Sequence, residues 1–119
     1  MNNTVKFSVF EYLYRDAGNW KTWGQVLIEG APDADEISAL LARLESGQFF
    51  IAEQLGIPSL IQKFRNQYGG PTQDDHAWHE FADVRTATEA EITHGPTWGT
   101  MQTLIKRANA IAAWEPFCS

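Results

Sequence analysis

Apolar and polar positions alternate from Val5 to Tyr14. Val5, Phe7, Val9 and Leu13 fall on one side of a period-two pattern, and Phe10, Tyr12 and Tyr14 on the other. Both sides are rich in apolar or aromatic groups, which predicts a central strand. Asp16-Ala17-Gly18-Asn19 supplies turn chemistry, since Gly and Asn tolerate positive φ and Asp can bond nearby backbone. Trp20 to Glu29 then resumes a strand, with Trp20, Thr22, Val26 and Ile28 alternating. The two segments predict a β-hairpin.

After the break at Gly30-Ala31-Pro32 the period changes. Asp33 followed by Glu36 forms a capping-box start, with Asp in the usual Ser/Thr place. Ile37, Leu40, Leu41 and Leu44 make one helical stripe, and Gly47 is a natural terminator. Phe49 to Glu53 predicts a short strand ended near Gly56 and Pro58. Ser59 caps a short helix carrying Leu60, Ile61, Phe64 and Tyr68, and Gly69-Gly70-Pro71 stops it. Trp78 to Thr86 reads as a further strand, and Thr88 to Gly95 as a polar loop. Pro96-Thr97 opens a last helix, with Trp98, Met101, Leu104, Ile105, Ala108 and Ile111 on one face and an end near Trp114, before Pro116. Helices so apolar on one side need a sheet to cover. The expectation is therefore a single α+β domain over residues 1–119: a mainly antiparallel sheet of about four strands, two longer helices on one face, order ββαβ(α)βα.

Composition narrows the classes of function. The 119 residues suffice for one core, and 44% hydrophobic with 13% aromatic residues fit a globule. A net charge of −6 disfavours direct contact with nucleic acid or anionic lipid. The lone cysteine, Cys118, cannot make an intramolecular disulfide. No signal peptide is visible and no apolar stretch nears about 20 residues, so a cytoplasmic protein is expected.

The densest chemistry lies in Asp74-Asp75-His76-Ala77-Trp78-His79-Glu80. Imidazoles and carboxylates suit zinc, and His94 could complete a sparse ligand set. On a strand, however, His76, Trp78 and Glu80 point one way and His79 and Phe81 the other, so His76 and His79 would not share an ion. The same residue types suit general acid–base work. Yet the chain has no Gly-x-Ser-x-Gly elbow and no phosphate-binding Gly-rich loop. A small metal-dependent or acid–base enzyme centred on Asp75, His76, His79 and Glu80 is thus the alternative reading. The leading one assigns no catalytic residue, metal or cofactor.

Charge gives that leading reading. Between Asp74 and Glu91 six acids (Asp74, Asp75, Glu80, Asp83, Glu89, Glu91) face one base, Arg85, so the segment holds −5 of the chain's −6. Such a run either protects a solvated strand edge or meets a basic partner surface. Trp20 and Trp23, beside the turn, fall on opposite strand faces and are hard to bury together. One of them suits an interface anchor. The expected function is a non-enzymatic protein-binding module.

The blocks Phe10-Glu11-Tyr12-Leu13-Tyr14-Arg15-Asp16-Ala17-Gly18-Asn19-Trp20-Lys21, Gly47 to Pro58, and Asp74 to Phe81 resemble a family of small, uncharacterised bacterial and phage proteins. The resemblance covers most of residues 7 to 86 and brings no activity to carry over. Small acidic phage proteins include anti-CRISPR inhibitors. By that analogy of size, charge and source, the partner would be the basic nucleic-acid-binding surface of a target complex.

Overall fold

The computed structural model describes residues 6–16, 18–70 and 76–115. Expectations resting on Val5, Ala17, Pro71, Asp74, Asp75, Pro116 and Cys118 lie outside the described residues. The chain runs β1 (Phe7–Arg15), β2 (Lys21–Glu29), α1 (Ala34–Arg43), β3 (Phe49–Ile51), α2 (Ala52–Leu55), α3 (Ile61–Tyr68), β4 (Trp78–Thr86), α4 (Glu89–His94), β5 (Thr97–Thr100) and α5 (Met101–Ala110).

The α+β class stands, but the sheet has five strands, in the order β3-β4-β1-β2-β5. It is mixed: β5 runs parallel to β2, and the other pairings are antiparallel. β1 is central, as its two apolar sides require. The hairpin turn is held by Asn19 N–H to Asp16 O (3.0 Å) and Trp20 N–H to the Asp16 carboxylate (2.9 Å), with Asn19 at φ 68°.

One side of the sheet carries the main core. Phe10, Tyr12, Tyr14 and Ile28 are essentially inaccessible and pack with Leu40 and Leu44, Leu55, Phe64, Met101 and Leu104. Each such side chain contributes roughly 2–3 kcal/mol by leaving water. Rings meet edge-on at Phe10–Phe50 (5.8 Å) and Phe10–Phe81 (5.4 Å). The register shift opposite Glu11 and Tyr12 leaves Ala82 of β4 without a partner, since Asp83 faces Glu11 and Phe81 faces Tyr12. That bulge lets Phe81 and Val84 both join the core despite their odd spacing. The opposite side carries a small apolar cluster of Val9, Leu27 and Ala87, with Phe7 against it.

The helices follow their local chemistry. The expected Asp33–Glu36 capping box forms in both directions, at 2.8 and 3.1 Å. Helix α1 ends at Arg43, before Gly47, because Leu44 turns to extended backbone and enters the core. The strand expected over Phe49 to Glu53 stops at Ile51, and α2 follows at once. At α3 the cap position is Leu60 rather than Ser59, although Ser59 Oγ accepts from Ile61 N–H at 3.2 Å.

Two corrections fall in the C-terminal third. The segment 88–95 is not a loop: Thr88 and Glu91 form a second reciprocal capping box that opens α4. The last helix does not begin at Pro96-Thr97. Thr97–Thr100 is strand β5, and Thr100 Oγ1 caps α5 by accepting from Thr103 N–H at 3.0 Å. Trp98 therefore belongs to a strand, its indole N–H donating to Gly56 O at 2.7 Å. Helix α5 stops at Ala110, where the Arg43 guanidinium takes the carbonyls of Ala108, Asn109 and Ile111.

Candidate functional site

Strand β4 begins at Trp78, so His76 lies just before it, while His79 and Glu80 follow the strand period to opposite sides of the sheet. His79 points into the core and is fully buried. Its Nε2 accepts from Leu60 N–H at 3.0 Å, and its Nδ1–H donates to Ala77 O at 3.2 Å. Burial lowers its pKa from 6.5 to about 4, outweighing the Ala77 carbonyl and the Glu53 carboxylate, which favour the charged form. The ring is a neutral strut that ties β4 to the entry of α3.

His76 is equally committed. Its Nε2–H donates to Arg15 O at 2.6 Å, its Nδ1 accepts from Trp78 N–H at 3.0 Å, and the Tyr14 hydroxyl donates to its carbonyl at 2.7 Å. All four ring nitrogens of His76 and His79 are thus engaged by backbone. His94 donates through Nδ1 to Ala90 O at 2.9 Å within α4. Among the described residues no three His, Cys, Asp or Glu side chains cluster as metal ligands would.

The acids divide into two kinds. Glu80 lies against Arg15, Nε to Oε2 at 2.7 Å, and also accepts from Gln48 at 3.1 Å. Arg85 bridges Glu11 (3.0 Å) and Glu91 (2.7 Å), and Glu91 reaches Gln25 as well. The two hydrogen bonds from Arg85 hold the Glu91 carboxyl well below the usual range, and Glu91 with Glu11 pushes the guanidinium further up. These pairs roof the sheet side opposite the main core. Asp83 and Glu89 are exposed, with no cation beside them among the described residues. Asp83 accepts from Val84 N–H, at 2.8 Å.

Exposed apolar surface gathers elsewhere, at the turn end of the hairpin. Trp20 is 59% exposed, Trp23 55% and Tyr68 41%, and the Trp20 and Tyr68 rings lie 5.1 Å apart at 48°. By contrast Trp78 and Trp114 pack on each other at 6.3 Å and are half-buried. Helix α3 builds this end. Phe64 anchors it in the core, and three side chains stitch it to β2: Lys63 Nζ donates to Trp23 O (2.6 Å), Gln67 Oε1 accepts from the Thr22 hydroxyl (2.8 Å) and Tyr68 Oη donates to Lys21 O (2.9 Å). β5 reaches β2 only at Leu27–Glu29, so this stitching covers the otherwise open edge of β2. Lys21 and Lys63 have no carboxylate partner among the described residues.

Sequence reasoning identified Trp20 and Trp23 but not Tyr68, Lys63 or Lys21. Their contribution comes from α3 folding back along β2, a contact that no local spacing encodes. No family model, curated protein or solved structure matches the chain. Among the described residues no helix is long and apolar enough to cross a membrane.

Proposed function

We propose that the chain is a non-enzymatic protein-binding module, anchored through the aromatic end formed by Trp20, Trp23 and Tyr68. The observation that carries this reading is three large rings left exposed near the hairpin turn, with the Trp20 and Tyr68 rings in contact. Exposing that much apolar area is unfavourable unless something occupies it. Trp and Tyr supply most of the energy at interface centres, since they bury large areas with few rotatable bonds. The test is capture from a host extract by immobilised wild type and by a Trp20→Ala/Trp23→Ala variant. A partner held by the wild type and lost from the variant is expected. Identical captured sets would refute the reading.

The exposed acids add direction rather than grip. Asp83 and Glu89 are exposed to solvent, and with the net −6 they favour a partner whose surrounding surface is basic, as in a nucleic-acid-handling complex. An inhibitor of the anti-CRISPR kind would fit that pairing. Substituting Glu80 or Glu91 acts on the fold instead, because each is already bound to an arginine.

A further inference from the structure

Three depressions with shared lining residues lie along the part of β2 that β5 leaves unpaired. The middle one lies between Trp20, Trp23, Lys63 and Tyr68. It shares Trp23 and Lys63 with a neighbour that reaches Gly24 and Pro58. On the other side it shares Trp20, Gln67 and Tyr68 with one that reaches Gly69 and Asp16. Together they form a groove flanked by the strand edge and α3. Residues 21–25 of the strand span about 15 Å, the length of roughly five extended residues.

Charge along the groove is patterned. The charged side chains of the middle depression are Lys21 and Lys63, both without a carboxylate partner among the described residues. The flanking depressions add an acid each: Glu11, held by Arg85, at one end, and Asp16 at the other. Leu60 packs directly on Gly24, its methyl 2.6 Å from where a Cβ would stand, so the lining there is apolar. Lys63 Nζ is held in place by the Trp23 carbonyl while its charge stays uncompensated.

Resting on the protein-binding reading, we infer that this groove takes an extended segment of the partner with one central carboxylate, flanked by apolar side chains. The two lysines receive the carboxylate, and the rings of Trp20, Trp23 and Tyr68 receive its neighbours. The segment docks by side chains rather than as a sixth strand, because the carbonyls of Lys21 and Trp23 already accept from α3. A nucleic-acid strand suits the groove less well. Phosphates would follow one another past Asp16 and Glu11, and the Trp20 and Tyr68 rings pack on each other rather than standing open for a base.

A bead-displayed library of random decapeptides tests this directly. The wild type should enrich sequences with one Asp or Glu between apolar residues. Lys21→Met should weaken the best such peptide about tenfold, with an unchanged thermal melt, since the Lys21 side chain makes no bond among the described residues. Lys21→Glu/Lys63→Glu should switch the enrichment to Lys or Arg at the central position, a reversal that structural damage would not produce. Enrichment of nothing, or of basic peptides by the wild type, would overturn the inference. So would binding of a thymidine 20-mer that Lys21→Met abolishes. If a captured partner still depends on Trp20 and Trp23 while no central acid is selected, the groove chemistry fails and the binding reading survives.

Discussion

The β4–α4 side of the molecule and the turn end of the hairpin both carry functional-looking side chains, and they treat them oppositely. On the β4–α4 side most of the chemistry is consumed by the fold, Asp83 and Glu89 excepted. Arg15 holds Glu80, Arg85 holds Glu11 and Glu91, and the imidazoles of His76 and His79 bond only to backbone. At the hairpin end Trp20, Trp23, Tyr68 and two lysines stand exposed or half-exposed, although α3 passes directly beside them. Density of ionisable residues therefore marks where this fold is braced. Surface left unsatisfied marks where it has something to offer.

The sharpest way to break that contrast is to remove the rings. Each of Trp20→Ala and Trp23→Ala should cost about 2 kcal/mol of partner binding, roughly a thousandfold for the pair if they add. The melting temperature should move little, because neither ring is buried. A large drop in melting temperature with unchanged affinity would make these rings structural and dissolve the contrast.

Acid should expose the opposite character of β4. His79 titrates near 6.5 when unfolded and near 4 when folded. Between those values the unfolded chain binds more protons, so stability falls as pH drops from about 6.5 to about 4. The loss is on the order of 3 kcal/mol, with the full contribution present above pH 6.5. His79→Gln keeps an acceptor for Leu60 N–H, and urea melts across pH 4–7 should show that part of the slope gone. An unchanged slope would mean that the buried imidazole is not what couples this core to pH.

Those two regions also differ in how far the sequence reveals them. The central hairpin follows from alternation at Phe7 to Tyr14, and α1 from Asp33 and Glu36 with the leucine stripe. Both rest on contacts within a few residues. The strand period separates His79 from Glu80, but His76 lies before β4, and both imidazoles meet the Tyr14 ring, at 5.1 and 5.3 Å. Helix α4 was legible in principle, since Thr88-Glu89-Ala90-Glu91 carries the same capping spacing as Asp33 to Glu36 of α1, but its polar character masked it. β5 was hidden because Trp98, Met101 and Leu104 mimic a helical stripe. Thr97–Thr100 becomes a strand only by pairing in parallel with β2, a tertiary event. The groove was not legible at all: it exists because α3 lies along β2.

At the bracing side, Arg85→Met is expected to cost about 1 kcal/mol. The guanidinium is a third exposed, which screens each pair, but its loss leaves Glu11 and Glu91 facing each other across the sheet surface. Guanidinium chloride would mask such a difference by screening, so urea melts at low salt are the suitable measurement. Restoring 0.5 M salt should shrink the deficit. A deficit that grows with salt would mean that Arg85 acts through packing of its stem rather than through its charge.

The smallest effect belongs to the two acids that the fold leaves alone. Asp83→Lys with Glu89→Lys raises the net charge from −6 to −2, four units, yet touches no ion pair among the described residues. Stability should move by a few tenths of a kcal/mol, the ordinary range for surface substitutions. Binding should slow at the association step by about tenfold at low salt, with dissociation nearly unchanged, because distant charges steer an encounter without forming the final contact. Kinetics measured by surface-immobilised partner at low and at physiological salt separate the two rates. If dissociation changed instead, Asp83 and Glu89 would lie inside the interface, and the contact would extend from the aromatic end across the sheet to α4.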